Sequence, residues 1–164
     1  PHAVRVRLNS SSIVFEDRIQ GHCEFLPDLD IDDFVVRRRD GYFSYQLAAM
    51  TDDLFQNISH VVRGVDLLNS SARQLYLMNL LGEPAPQYGH IPVLINAQQQ
   101  KLSKQNLALA LDDQQAVANL LYCLRKLEQA VPADVGPAQI NELLQWAAQN
   151  WRPERIPATL SIAL

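Results

Sequence analysis

Cysteine is scarce in this sequence: Cys23 and Cys123 are the only two, and they lie far apart. A disulfide framework or a zinc knuckle needs more thiols than that, so neither is expected, and a reducing compartment fits. Long apolar runs are absent as well. No stretch approaches the roughly 18 residues of a membrane helix, and no basic, apolar, small-residue succession marks a secretory signal, so a soluble, cytoplasmic protein with no membrane partner is expected. There is no basic excess either. Fourteen Lys and Arg face 18 Asp and Glu, a net charge of −4. A dedicated phosphate clamp neutralises its ligand with surplus cations, so composition argues against that class. Only Arg5 with Arg7 and the run Arg37-Arg38-Arg39 are left to meet a phosphate backbone, and such charged runs are more often a solvated face. The chain opens on Pro1 rather than Met, so an upstream segment is expected to be missing. Internal repeats and low-complexity tracts are lacking.

What is present suffices for a core. With 164 residues, 48% hydrophobic and 20% charged, the chain has the length of one ordinary domain or two small ones. Val4 to Leu8, Ile13 to Phe15 and His22 to Leu26 read as short extended pieces of one antiparallel patch. Phe34 to Arg39 reads as a strand closed by Asp40-Gly41, a hairpin signal, with a strand or helix entry after it. Tyr45, Leu47, Ala48, Ala49 and Leu54 suit a helix. Ile58 to Arg63 is extended again and stops at Gly64. Ser70 or Ser71 is positioned to cap a largely buried helix carrying Leu75, Leu77, Met78, Leu80 and Leu81, with Gly82 and Pro84 as its stop. Ile91 to Ile95 reads as a buried parallel strand, which makes a strand-helix-strand crossover. Beyond Leu111 two apolar stripes at helical spacing follow, Val117 to Leu127 and Ile140 to Trp151. Pro137 suits a first helical position, and the two helices are expected to pack together.

The segment with most chemistry is Lys101-Leu102-Ser103-Lys104-Gln105-Asn106, on a polar loop after a buried strand. Two lysines three apart on such a loop suit an anionic ligand whose charge develops during transfer, a triphosphate above all. Read from residues alone, the alternative stays open, since Lys-x-x-Lys is common on solvated surfaces. The same holds for Arg63, a surface ion pair as readily as a ligand, and for Tyr45, core as readily as site. His60 and His90 lack a serine, cysteine or carboxylate partner at motif spacing and read as structural. Asp52-Asp53, adjacent on a helix, point apart and read as a helix terminus rather than a magnesium pair. No metal held by this chain is expected.

Lys101 to Gln105 resembles the Lys-Met-Ser-Lys-Ser signature of class I aminoacyl-tRNA synthetases in its glutamyl form. Asp40 to Ala48, Thr51-Asp52-Asp53, Ile58 to Gly64, Arg73-Gln74-Leu75 and His90-Ile91-Pro92 resemble consecutive blocks of that family in order and spacing. Phe15-Glu16-Asp17 with Gly21 resembles the strand region before them. The resemblance implies that Tyr45 and Arg63 contact the glutamate substrate, that Lys101, Ser103 and Lys104 bind ATP, and that Lys104 is catalytic. Arg63 offers a planar fork to a carboxylate and Lys104 a point charge to phosphate. ATP enters as substrate with Mg2+. The family's zinc site and the signature that cradles the nucleotide are expected upstream, outside this chain.

Within the family, the short stretch after Lys104, Gln105-Asn106, and Gly64-Val65-Asp66-Leu67 are similar to the branch that activates glutamate with ATP and transfers it to queuosine of tRNA(Asp). The alternatives are a fragment of an ordinary glutamyl-tRNA synthetase and a non-catalytic synthetase-like module that binds tRNA or protein. Gln98-Gln99-Gln100 departs from the glycine-containing turn common before the lysine loop. The expected fold is α/β: residues 1–33 a β-rich part of an acceptor-binding insertion, 34–111 the second half of a Rossmann-type catalytic domain, 112–164 a helical subdomain. The partners implied are glutamate, ATP and queuosine-bearing tRNA(Asp), with a monomer favoured. The isolated chain, lacking half of the nucleotide cradle, is expected to be inactive.

Overall fold

The structure is a computed structural model that describes residues 2–9, 11–103, 108–132 and 139–164. It divides into two compact units, Pro1–His90 and Ile91–Leu164.

In the first unit, strand β2 (Ile13–Asp17) and strand β3 (Gly21–Phe25) form a hairpin with Ile13 opposite Phe25 and Phe15 opposite Cys23. The period-two pattern sends Ile13, Cys23 and Phe25 inward and leaves Val14, His22 and Glu24 exposed, and Phe15 stacks on Phe25 at 6.2 Å between ring centroids. Strand β1 (Val4–Val6) joins no part of this hairpin. It pairs antiparallel with β4 (Phe34–Arg37), Val6 opposite Phe34. The single patch expected from sequence is therefore two pairings, because the partner that covers β1 lies about thirty residues beyond it, at β4.

Asp40-Gly41 does make a turn, with Gly41 at φ 90° and the Arg38 amide donating to the Tyr42 carbonyl at 2.7 Å. The return strand lasts one bridge, Arg37 with Phe43, before helix α1 (Tyr45–Phe55) begins. Strand β5 (His60–Gly64) leads through a short 3-10 turn, Val65–Leu67, into helix α2 (Leu68–Leu81), and β6 (Gln87–Ile91) follows. β6 lies between β2 and β5, giving the order β3-β2-β6-β5. Asp17 pairs with Tyr88 in parallel, and the Gln87 amide donates to Ser59 at 2.9 Å, so β5 and β6 start side by side as a crossover requires.

Three expectations need correcting here. The return strand of the crossover is Gln87–Ile91, not Ile91 to Ile95; Pro92 has no N–H to continue a ladder, and Val93–Ile95 becomes a separate strand, β7. Neither Ser70 nor Ser71 caps α2, whose first turn starts at Leu68 with no side-chain cap. Ser71 instead lies inside the helix, its hydroxyl 3.2 Å from the Leu67 carbonyl. Leu80 and Leu81 are exposed. The buried side of α2 is built from Ala72, Leu75, Leu77 and Met78 with Ser71 and Gln74 among them, and Met50 of α1 packs into the same core. Gly82 ends α2 as expected, at φ 72°, with the Glu83 amide donating to Met78 and the Gly82 amide to Asn79.

The second unit pairs β7 in parallel with β8 (Ser161–Ala163), Leu94 opposite Ile162. Helices α3 (Ala116–Lys126) and α4 (Ile140–Asn150) pack together, with Leu124 and Leu143 buried. Gln139 and Glu142 form a capping box at the start of α4. The expected role of Pro137 lies outside the described residues. Buried Gln129 braces the chain beyond α3, its amide donating to the Leu127 and Arg152 carbonyls and its oxygen accepting from the Arg152 amide at 2.8 Å.

Candidate functional site

Arg63 stands near the C-terminal end of β5, where open α/β sheets place ligands. Its guanidinium is held from inside the protein. Nη2 donates to Gln74 Oε1 at 2.8 Å and to Ser71 Oγ, and Nε faces His90 Nε2 at 3.4 Å. The ring of Tyr88 lies beneath it, 5.4 Å from its Cζ. No hydrogen bond from Nη1 is made among the described residues.

A second tier holds those partners. His90 is fully buried, its Nδ1 2.6 Å from Asp17 Oδ2 and its Nε2 2.6 Å from Ser71 Oγ. Asp17 is itself anchored: its Oδ1 accepts from the amides of Ile19 and Gln20 at 2.9 Å each and of His90 at 3.1 Å. Burial alone pushes the Asp17 carboxyl up, and the hydrogen bonds from Gln20, His90 and Ile19 more than reverse it, holding the group below the ordinary carboxylate value. Burial, aided by Arg63 and opposed by Asp17, holds His90 below the ordinary imidazole value, so the ring is neutral. A neutral ring facing an ionised carboxylate carries its proton on Nδ1. Nε2 is then the acceptor for the Ser71 hydroxyl and for Arg63.

Serine, histidine and aspartate thus stand in the order of a hydrolytic triad. Ser71 is nonetheless fully buried and shares its oxygen with Arg63, so it has no room to attack a substrate. The chain of contacts ends on the guanidinium, and its consequence is orientation. Two buried polar atoms of its neighbours, Tyr88 Oη and Gln74 Nε2, have no hydrogen-bond partner among the described residues. Each orphan costs about 1–3 kcal/mol, which folding alone does not recover and which functional sites commonly carry. Burial also pushes the Tyr88 phenol up to about 12, against the pull of Arg63, so it stays a neutral donor.

Tyr45, the other expected glutamate contact, is the first residue of α1 and half exposed at 53%. Its neighbour Gln46 donates to Ser70 Oγ at 3.1 Å, fixing the start of α1 to the start of α2. Tyr45 and Arg63 belong to the first unit; Lys101 and Ser103 belong to the second. Lys101 is exposed and bridges to Ile95, and the next amide, Leu102, donates to Leu94 at 2.9 Å. The turn before it is organised by Asn96, whose Oδ1 accepts from Gln98 and Gln100 at 3.0 and 2.9 Å. Gln99 takes φ 61°, the left-handed conformation that glycine would adopt without cost. The turn is therefore made without glycine. Lys104 lies outside the described residues.

His60 is exposed, its Nδ1 2.9 Å from Ser59 Oγ. Asp52 and Asp53 lie in the last turn of α1. Among the described residues no group of three or more His, Cys, Asp or Glu is placed to hold a metal ion, and His22, beside buried Cys23, is taken up by Glu16 at 2.7 Å. Among the described residues no helix is long and apolar enough to cross a membrane.

Sequence reasoning missed Asp17, Ser71, Gln74 and Tyr88. Asp17 and His90 are 73 residues apart, a separation no local pattern exposes. The available signal was a serine and a glutamine three apart on a helix face otherwise filled with core residues.

Comparison with known proteins identifies the family. Residues 1–126 match the family described as tRNA synthetases class I (E and Q), catalytic domain. The chain is 45% identical over 155 residues to the glutamyl-Q tRNA(Asp) synthetase of Thiobacillus denitrificans, covering 94% of this chain and 52% of that protein. It is 44% identical over 161 residues to the protein of that name from Ectopseudomonas mendocina, covering 98% and 55%. The chain spans about half the length of the curated relatives it matches. A solved glutamate tRNA ligase from Elizabethkingia meningosepticum, in complex with its amino acid, shares the α/β fold with a TM-score of 0.71 at 21% identity, over 99% of this chain and 36% of that one. By sequence and by fold, the chain belongs to the class I (E and Q) tRNA synthetase catalytic-domain family.

Proposed function

We propose that this chain supplies the glutamate-binding arginine and the lysine loop of a ligase that activates glutamate with ATP and transfers it to queuosine of tRNA(Asp). The observation that carries the reading is Arg63: a guanidinium at a strand end, fixed on its inner edge by Gln74, Ser71 and His90. A cation built in this way is pre-organised for a carboxylate, so little freedom is lost when the ligand binds. Tyr45, half exposed, would present its hydroxyl to the same amino acid. Lys101, Ser103 and Lys104 would bind the ATP phosphates, with Lys104 stabilising charge as pyrophosphate leaves. Mg2+ would arrive with ATP rather than on a protein-held site. The zinc ion of the family would sit outside this chain.

The division into an insertion piece at 1–33, the half catalytic domain at 34–111 and the helical piece at 112–164 is part of this reading, as are a monomeric state and a cytoplasmic location, where Cys23 and Cys123 would stay free thiols as they are here. The queuosine assignment rests on the names carried by the relatives at 45% and 44% identity. It is tested with the protein at its full natural length, radiolabelled glutamate and two tRNA(Asp) preparations, with and without queuosine. Label that enters only the queuosine-bearing tRNA and is lost when the modified base is removed supports the reading. Label on the 3′ end of tRNA(Glu) instead would assign the chain to an ordinary glutamyl-tRNA synthetase.

A further inference from the structure

The geometry points to Asp17 and His90 as positioning residues for glutamate selection, acting through the hydrogen-bond direction they impose on Arg63. This rests on the reading of Arg63 as the glutamate contact and names what makes that contact productive.

Asp17 Oδ1 is saturated by three backbone amides, of Ile19, Gln20 and His90. That leaves Oδ2 for His90 Nδ1 at 2.6 Å. Since an ionised carboxylate only accepts, the imidazole proton must sit on Nδ1, and Nε2 must offer a lone pair. Two donors use it: the Ser71 hydroxyl at 2.6 Å and Arg63 Nε at 3.4 Å. The Ser71 hydroxyl, whose one proton goes to His90 at 2.6 Å in preference to the Leu67 carbonyl at 3.2 Å, accepts from Arg63 Nη2. Two of the three acceptors on the inner edge of the guanidinium, His90 Nε2 and Ser71 Oγ, thus have their direction set at Asp17, and Gln74 Oε1 is the third. Nη1 is left to face a ligand.

Every group around the imidazole fits this polarity. Arg63 comes from β5, Ser71 and Gln74 from α2, Tyr88 from β6, Asp17 from β2, and Asp66 of the preceding turn acts from a distance. Neutral amide chemistry at position 17 would reverse it. In Asp17→Asn the three backbone donors would keep the amide oxygen in the Oδ1 place, so Nδ2 would point at His90 Nδ1. The ring would then have to accept there and carry its proton on Nε2, directly opposite the Arg63 Nε–H. Two donors would face each other and the guanidinium would lose its register.

The test uses the protein at its full natural length, in wild-type, Asp17→Asn, Ser71→Ala and Arg63→Ala forms. Nitrogen-15 shifts report the His90 tautomer, and glutamate-dependent ATP-pyrophosphate exchange reports KM for glutamate and for ATP separately. The expected result is a tautomer switch in Asp17→Asn with a glutamate KM raised about tenfold and an ATP KM within about twofold of wild type. A merely structural role would lower the active fraction and leave both KM values alone. If the tautomer does not switch, or switches with glutamate KM unchanged while Arg63→Ala raises it, the positioning role is overturned and the glutamate contact stands. If Arg63→Ala itself leaves glutamate KM unchanged, the reading beneath the proposal falls. Should Asp17→Asn lose its native circular dichroism, Ser71→Ala carries the test: it removes the hydroxyl between His90 and Arg63 with a residue that favours helix, and a glutamate KM unchanged there overturns the role equally.

Discussion

His90 Nδ1 lies 2.6 Å from Asp17 Oδ2 in a site where both side chains are buried from solvent. The pair stands behind the half-buried Arg63 guanidinium, and its protonation state bears on stability.

Both groups titrate below their ordinary values, and the signs agree. His90 binds a proton less readily folded than unfolded, so from about its ordinary 6.5 down towards its folded value the unfolded chain holds more protons and stability falls with acidity. The Asp17 contribution is present above its ordinary 3.8 and is lost as pH falls through its lower folded value. Urea midpoints of the wild-type chain should therefore drop on going from pH 7 to pH 5. In His90→Gln that drop should be smaller, and an equal drop in both proteins would exclude His90 as its source.

Gly82 closes α2 in the left-handed conformation, at φ 72°, with open space around the position of a Cβ. Gly82→Ala meets backbone strain and no clash, so it should cost about 1 kcal/mol in chemical denaturation. No change, or a gain, would mean that the helix end rearranges.

Met78 is fully buried between α2 and the core that includes Met50. Truncation to Ala leaves a cavity there and should destabilise the first unit by about 2–5 kcal/mol, read as a shifted denaturant midpoint with unchanged slope.

The turn before Lys101 depends on Asn96, whose Oδ1 accepts two amides and whose Nδ2 donates to Gln100 at 3.3 Å. Asn96→Ala should cost about 1–2 kcal/mol locally and speed amide exchange at Gln98 and Gln100. Unaltered exchange would show that the turn holds without it.

Much of the fold was legible because it is written in local patterns. The alternation in Ile13 to Phe15, the Gly82 stop and the apolar stripes of α3 and α4 need only neighbours in sequence. Pairing choices did not show, since β1 selects β4 over β2 through contacts that close a long loop. Pro92 was in view, yet its effect, moving Val93–Ile95 into a sheet with Ser161–Ala163, depends on a partner at the far end of the chain. At the candidate site, resemblance singles out Arg63 and Tyr45. The supports of Arg63 left only a faint mark, Ser71 and Gln74 on a helix face otherwise filled with core residues, and only the fold turns them inward to the guanidinium. His90 read as structural for want of a nearby carboxylate, which arrives from β2.

The measurement that bears most directly on the account is glutamate-dependent ATP-pyrophosphate exchange without any tRNA, in the protein at its full natural length and in its Arg63→Ala and Lys104→Ala forms. The wild type should exchange, Arg63→Ala should show a raised glutamate KM, and the rate should fall on the order of a hundredfold in Lys104→Ala. Exchange that begins only when tRNA is added would contradict the queuosine assignment, and full activity in both variants would contradict the site.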